Sequence, residues 1–217
     1  EGVKMSRGKK IPGGAGLGGG SSNAASVLLA LNRYYGYPFS QDKLISMGLL
    51  IGADVPFFVY RKPAIASGIG ENLKAYDRIS KSHILLVYPG FSISTAQVYN
   101  NLNLGLTKCQ KTLRYTSFIE QDFDPEQHLC NDLETVAETS YPDISAAKKA
   151  LLSHGTRGTL MSGSGPTVFG LFSDSDKALK AKNVLAENDK WQLYLVDMLS
   201  LIHISEPTRP LYISYAV

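Results

Sequence analysis

Six glycines fall within the eleven residues Pro12, Gly13, Gly14, Ala15, Gly16, Leu17, Gly18, Gly19, Gly20, Ser21 and Ser22. So dense a run cannot hold regular structure, but it lets the backbone come close to a ligand. Ser21, Ser22 and Asn23 are residue types that start helices. Val27, Leu28, Ala30 and Leu31 then recur at helical spacing, which predicts a helix over Ala24–Tyr34. A loop feeding a helix N-terminus is an anion site, because successive N–H groups converge there and the dipole adds roughly half a positive charge. The chemistry to expect is phosphate binding. No Gly-Lys-Ser/Thr follows, which excludes a Walker loop. Gly14-x-Gly16-x-x-Gly19 fits the dinucleotide fingerprint. That fingerprint also needs an apolar strand immediately upstream, where this chain has Arg7-Gly8-Lys9-Lys10-Ile11-Pro12.

Two further stretches carry candidate chemistry. Asp54 lies in Gly52-Ala53-Asp54-Val55-Pro56, where small neighbours allow close approach and Pro56 stiffens the chain beyond. Read from the residues alone, its carboxylate either accepts a proton or caps a turn. Gly163-Ser164-Gly165 lies between two β-prone runs and predicts a tight turn able to approach a ligand.

Around these stretches the pattern alternates between helix and strand. Ser40 predicts the cap of a helix over Gln41–Leu50, ended by Gly52–Pro56, and the apolar run Phe57–Tyr60 predicts a strand. His83–Tyr88 predicts a buried strand, and Ser94-Thr95 caps a short helix through Tyr99. Asn100–Asp124 is polar and loop-rich. Asn131-Asp132-Leu133-Glu134 has capping-box spacing ahead of a helix. Asp143–Ser153 predicts a helix closed by His154-Gly155. Strands over Gly158–Met161 and Thr167–Phe172, a helix over Asp176–Ala186 and a strand over Gln192–Val196 complete the pattern. This mixture is α+β in two lobes, residues 1–78 and 79–198.

Composition narrows the class. With 217 residues, 44% of them apolar, the chain can bury a sizeable core. A net charge of +3 with no basic run interleaved by aromatics argues against nucleic acid. No apolar stretch approaches the roughly 20 residues that span a bilayer, and no signal peptide opens the chain. Cys109 and Cys130 are too few for a disulfide framework and predict two reduced thiols in a cytoplasmic protein.

Taken together, Pro12-x-x-x-Gly16-Leu17-Gly18-Gly19-Gly20-Ser21-Ser22-x-Ala24-Ala25 resembles the phosphate loop of the GHMP kinases. Gly52–Phe58 resembles the segment that carries their catalytic aspartate, and Leu160–Phe169 resembles their C-terminal glycine motif. Pro63-Ala64-x-Ala66-x-Gly68-x-Gly70-Glu71 and Ser94-Thr95-x-x-x-Tyr99 extend the likeness over nearly all of residues 3–198. The resemblance implies the two-lobed GHMP kinase fold, with an incomplete N-terminal lobe and a ferredoxin-like C-terminal lobe. It also implies ATP and Mg2+: Pro12–Ser22 on the phosphates, Ser21 or Ser22 reaching the metal, and Asp54 as the catalytic carboxylate. Tyr99, Gly163, Ser164 and Gly165 would border the small-molecule substrate.

The extra glycines before Ser21-Ser22 resemble the branch acting on a cytidine-diphosphate-linked methylerythritol in non-mevalonate isoprenoid synthesis. The alternatives are a mevalonate- or homoserine-type kinase, a dinucleotide-binding oxidoreductase, or a non-catalytic binding module, which Asp54 argues against. No nucleic-acid or membrane partner is expected, and the state is monomer or homodimer. His83, His128 and His154 match no functional position of the family and read as a strand edge, a loop and a helix C-terminus.

Both ends depart from the family. The early lysine that pairs with the aspartate has no counterpart here, nor do the aromatic and histidine contacts to cytosine. The resemblance therefore implies an N-terminally truncated fragment with little or no activity. Leu199–Val217 resembles a translated transposon-type sequencing adapter and predicts a non-native tail.

Overall fold

The structure, a computed structural model, describes Ser6, Gly8, residues 12–102 and 122–198, and the backbone of 202–204 and 213–215. Cys109 and most of the loop predicted between Asn100 and Asp124 lie outside the described residues. Helices α1 (Gly19–Tyr34), α2 (Gln41–Ile51) and α3 (Val55–Tyr60) come first, then the hairpin β1 (Ala64–Ser67) and β2 (Asn72–Ala75). Strand β3 (His83–Tyr88) precedes α4 (Thr95–Asn100), α5 (Pro125–His128), α6 (Asp132–Ser140) and α7 (Pro142–Ser153). Strands β4 (Gly158–Met161) and β5 (Val168–Phe172), helix α8 (Ser175–Leu185) and strand β6 (Gln192–Asp197) follow. Beyond them β7 (Ile202–Ile204) pairs with β8 (Ile213–Tyr215).

The main sheet runs β4-β5-β3-β6 with every neighbour antiparallel. Two helical crossovers, β3 to β4 and β5 to β6, produce this order, which is the ferredoxin-like arrangement expected for the C-terminal lobe. From Ile84 to Tyr88, β3 is a continuous apolar run, as suits a strand buried on both faces. Its alternate residues diverge. Leu85 and Val87 pack with Leu133, Ile144, Leu151 and Ala178 of the covering helices. Ile84, Leu86 and Tyr88 face Ala15, Leu17, Ile65 and Tyr76, from the glycine loop and from in and beside the β1–β2 hairpin. A separate small core of Ala25, Leu44, Val55 and Val59 joins α1, α2 and α3.

Several predicted elements differ from the observed ones. Phe57–Tyr60 lies in helix α3, not a strand. A short apolar run is ambiguous by periodicity, and here Pro56 sits at a helix start, where its missing N–H costs nothing. Helix α1 begins five residues earlier than predicted, at Gly19, because Gly18 adopts the left-handed conformation (φ 63°) and turns the chain directly into it. His83 is the first residue of β3, the strand edge expected, and β3 is central, paired on both sides. His128 ends α5 rather than lying in a loop; it is buried, and its Nδ1 accepts from Asp124 N at 2.9 Å. Cys130 is disulfide-bonded, where two reduced thiols are expected; separation along a chain does little to limit closure in space. No helix among the described residues is long and apolar enough to cross a membrane.

Candidate functional site

The glycine loop works by alternation. Ala15 and Leu17 are the residues with side chains, and both are buried in the sheet's core. Gly14, Gly16 and Gly18 all take positive φ, between 63° and 75°, which L-residues adopt only with strain. The two apolar side chains thus pin the loop to the sheet's core. The helix begins at once, so Gly19, Gly20 and Ser21 occupy its first turn, where N–H groups have no intrahelical acceptor. Gly18 lies against α3: a Cβ there would meet the Phe58 ring at 2.8 Å.

The Ser162–Gly165 turn is built against the same loop. Ser162 Oγ donates to Gly16 O at 2.8 Å, and Thr167 N donates to Ala15 O at 3.3 Å. A Cβ on Gly16 would collide with Ser162 O and would lie 2.8 Å from Gly165 O. Residues nearly 150 positions apart therefore form one backbone seam, and the predicted Gly163, Ser164 and Gly165 stand beside the predicted Gly16. Ser164 Oγ also lies 2.8 Å from Thr95 Oγ1 at the start of α4. Tyr99 is one helical turn beyond Thr95 and is partly packed on the core beneath.

Asp54 stands at the N-terminus of α3, exposed, with no side-chain cap bond. The capping role that the bare sequence allows is therefore not the one it takes. Asp54 and Phe58 are four residues apart and share a helix face, and Phe58 is what Gly18 abuts. Between α1 and α3 opens a cavity of about 370 Å³ lined by Ser22, Ser26, Leu29, Phe58 and Arg61. Of the two serines proposed for a metal, Ser22 faces this cavity. No three His, Cys, Asp or Glu side chains converge as a metal cluster among the described residues.

Sequence reasoning takes Thr95 only as part of a helix start and Ser162 only as part of a glycine motif, and it passes over Ser26 and Arg61. Nothing in their local pattern marks them, since each matters through a partner distant in sequence or on another helix. Asn131 and Glu134 were seen only as a capping box. Asn131 does cap α6, accepting from Leu133 N at 3.1 Å, but Glu134 accepts from Met161 N at 2.6 Å instead of reaching back to its own helix start.

Comparison with known proteins gives a consistent picture. Residues 1–62 match the family model described as the GHMP kinases N terminal domain, and residues 118–190 match GHMP kinases C terminal. The 4-diphosphocytidyl-2-C-methyl-D-erythritol kinase of Syntrophus aciditrophicus is 46% identical over 197 residues, 90% of this chain and 70% of that protein. The kinase of the same name from Geobacter sp. (strain M21) is 43% identical, over 88% of this chain and 67% of its own length. Among solved structures, a 4-(cytidine 5'-diphospho)-2C-methyl-D-erythritol kinase superposes with a TM-score of 0.68 at 31% identity, covering 87% of this chain and 68% of its own. A homoserine kinase from Cytophaga hutchinsonii reaches a TM-score of 0.65 at 16% identity, which is a likeness of fold alone.

Proposed function

This chain belongs to the GHMP kinase family, and we propose that it transfers the γ-phosphoryl group of ATP to the 2-hydroxyl of 4-diphosphocytidyl-2-C-methyl-D-erythritol. The observation that supports the reading is the seam between Gly16 and the Ser162–Gly165 turn, together with an exposed Asp54 whose carboxylate makes no cap bond at the start of α3. Phosphoryl transfer asks mainly for positioning and charge stabilisation. The first-turn amides of α1 and the loop backbone supply both for the phosphates. The hydroxyl oxygen of the acceptor bonds to the γ-phosphorus as the bond to the β–γ bridging oxygen breaks. ADP leaves with that electron pair, and the hydroxyl proton passes to Asp54.

Magnesium, when bound, neutralises charge on the β- and γ-phosphates. The oxygen donors the chain offers are the Ser22 hydroxyl and the Asp54 carboxylate. They suit an ion that keeps several waters and binds through one or two carboxylates plus phosphates. Tyr99 and the Gly163–Gly165 backbone lie beside Thr95 and form the acceptor side. We place the lobe boundary at residues 78 and 79, between the β1–β2 hairpin and β3.

The choice of acceptor rests on relatives 39–46% identical that share one name, against likeness to homoserine and mevalonate kinases of 14–16% identity. The test is ADP release and phosphorus NMR of the product, using the gene product that carries this chain with the cytidine substrate, mevalonate and homoserine in parallel. Turnover with the cytidine substrate alone is expected. Preference for either other acceptor would move the assignment within the family, and failure to bind ATP would remove the kinase reading.

A further inference from the structure

The Ser162–Gly165 turn has a second side, away from the glycine loop, and the start of α6 is bonded to it. Asn131 Nδ2 donates to Met161 O at 2.9 Å and to Gly163 O at 2.8 Å. The Glu134 carboxylate accepts from Met161 N at 2.6 Å. Three consecutive-region backbone groups, Met161 N, Met161 O and Gly163 O, are thus taken by two side chains of one helix turn. Both residues are buried, at 6% and 8% exposure. Lys148 of α7 pairs with Glu134 and, at 3.1 Å, with Glu138. Burial pushes the Glu134 carboxyl above its usual range, against the pull of Lys148 and the Met161 amide. Burial alone would lower the Lys148 pKa, but the two carboxylates outweigh it and hold the ammonium charged.

This is more than a helix start requires. The cap is complete with Asn131 Oδ1 and Leu133 N. The remaining bonds serve the turn, and buried bonds of this kind are costly to leave half made. The turn in turn fixes the glycine loop through Ser162 Oγ and Thr167 N. We propose that Asn131 and Glu134, with Lys148 as counter-ion, are positioning residues: they clamp the Ser162–Gly165 turn from behind and so set the loop conformation that binds ATP. The ATP clause rests on the kinase reading above; the clamp on the loop does not.

The closing experiment separates the two. Asn131→Asp keeps the oxygen that caps α6 but replaces both donors to the turn. The readouts, on the full chain, are amide exchange at Thr167, exchange at the β3 amides, and calorimetric affinity for magnesium-ATP. Exchange at Thr167 should speed by about tenfold while the β3 amides stay within about twofold, and the ATP Kd should rise about tenfold, as loss of charged or paired buried hydrogen bonds implies. Glu134 gives an independent series that leaves the cap alone: Glu134→Gln, which retains an acceptor for Met161 N, should preserve Thr167 protection better than Glu134→Ala. Unchanged Thr167 exchange, or equal acceleration at Thr167 and β3, would overturn the clamp and leave only a structural role. If the unaltered protein binds no ATP, the kinase reading fails while the exchange contrast still decides the clamp.

Discussion

In the proposed transfer, Asp54 is the residue that takes the hydroxyl proton. It is exposed and uncapped, so its carboxylate is not already committed to the helix it precedes. Asp54→Asn preserves shape and removes the proton acceptor. In the gene product that carries this chain, kcat should fall by about 10²–10⁴, the usual worth of a general base, while calorimetry still finds ATP bound. Near-normal kcat would reassign Asp54 to positioning, and an unfolded variant would make it structural. Tyr99 poses a closer contest. One turn before it, Thr95 meets Ser164, which favours the acceptor side, yet its ring is partly packed on the core. Tyr99→Ala should raise KM for the cytidine substrate and spare KM for ATP. Equal changes in both, or a loss of stability alone, would identify it as a core tyrosine.

At the scale of elements, the loop and turn make a sharper prediction than either side chain. Gly16 combines a φ of 75° with a Cβ position occupied by the Ser162–Gly165 backbone. Gly16→Ala should therefore cost stability twice, through left-handed strain of about 1–2 kcal/mol and through overpacking of about 1–3 kcal/mol. Gly19→Ala is the control, since a Cβ there meets nothing within 4 Å and the residue is helical. It should leave stability equal or raise it by up to about 1 kcal/mol. Urea denaturation of the two variants checks both expectations, and similar midpoints would show that the seam is not tightly packed.

Much at this scale was legible in the sequence. Ser40 caps α2 as predicted, and β3 and β4 have the predicted bounds, because apolar runs ended by Pro-Gly or a Gly-Ser turn leave little freedom. What was not legible depended on partners far along the chain. Phe57–Tyr60 reads equally as strand or helix until α1 and α2 are there to pack it. Glu134 has the spacing of a capping box, and only the return of β4 reveals its use. The loop, Asp54 and the Gly-Ser turn were each readable singly; that Gly16 and Ser162 touch was not.

For the whole molecule, the remaining question is where the cooperative unit stops. Both faces of the main sheet are covered by elements that end at Met198. That residue packs into the core, and its N–H donates to Ser82 O at 2.9 Å. Beyond it come the paired strands β7 and β8, with β7 beside β1, in the stretch whose sequence resembles a translated adapter. A hairpin of three-residue strands is too short to be stable by itself. If it was never selected against this core, it contributes pairing without fitted packing. Deleting Leu199–Val217 should then leave the unfolding free energy unchanged or slightly raised. The denaturant slope should change little, since that slope follows the surface exposed on unfolding. The comparison is urea unfolding of the chain with and without these residues, followed by fluorescence of Trp191. A loss of about 2 kcal/mol or more, the scale of removing one large buried side chain, would instead make β7 and β8 part of the native fold.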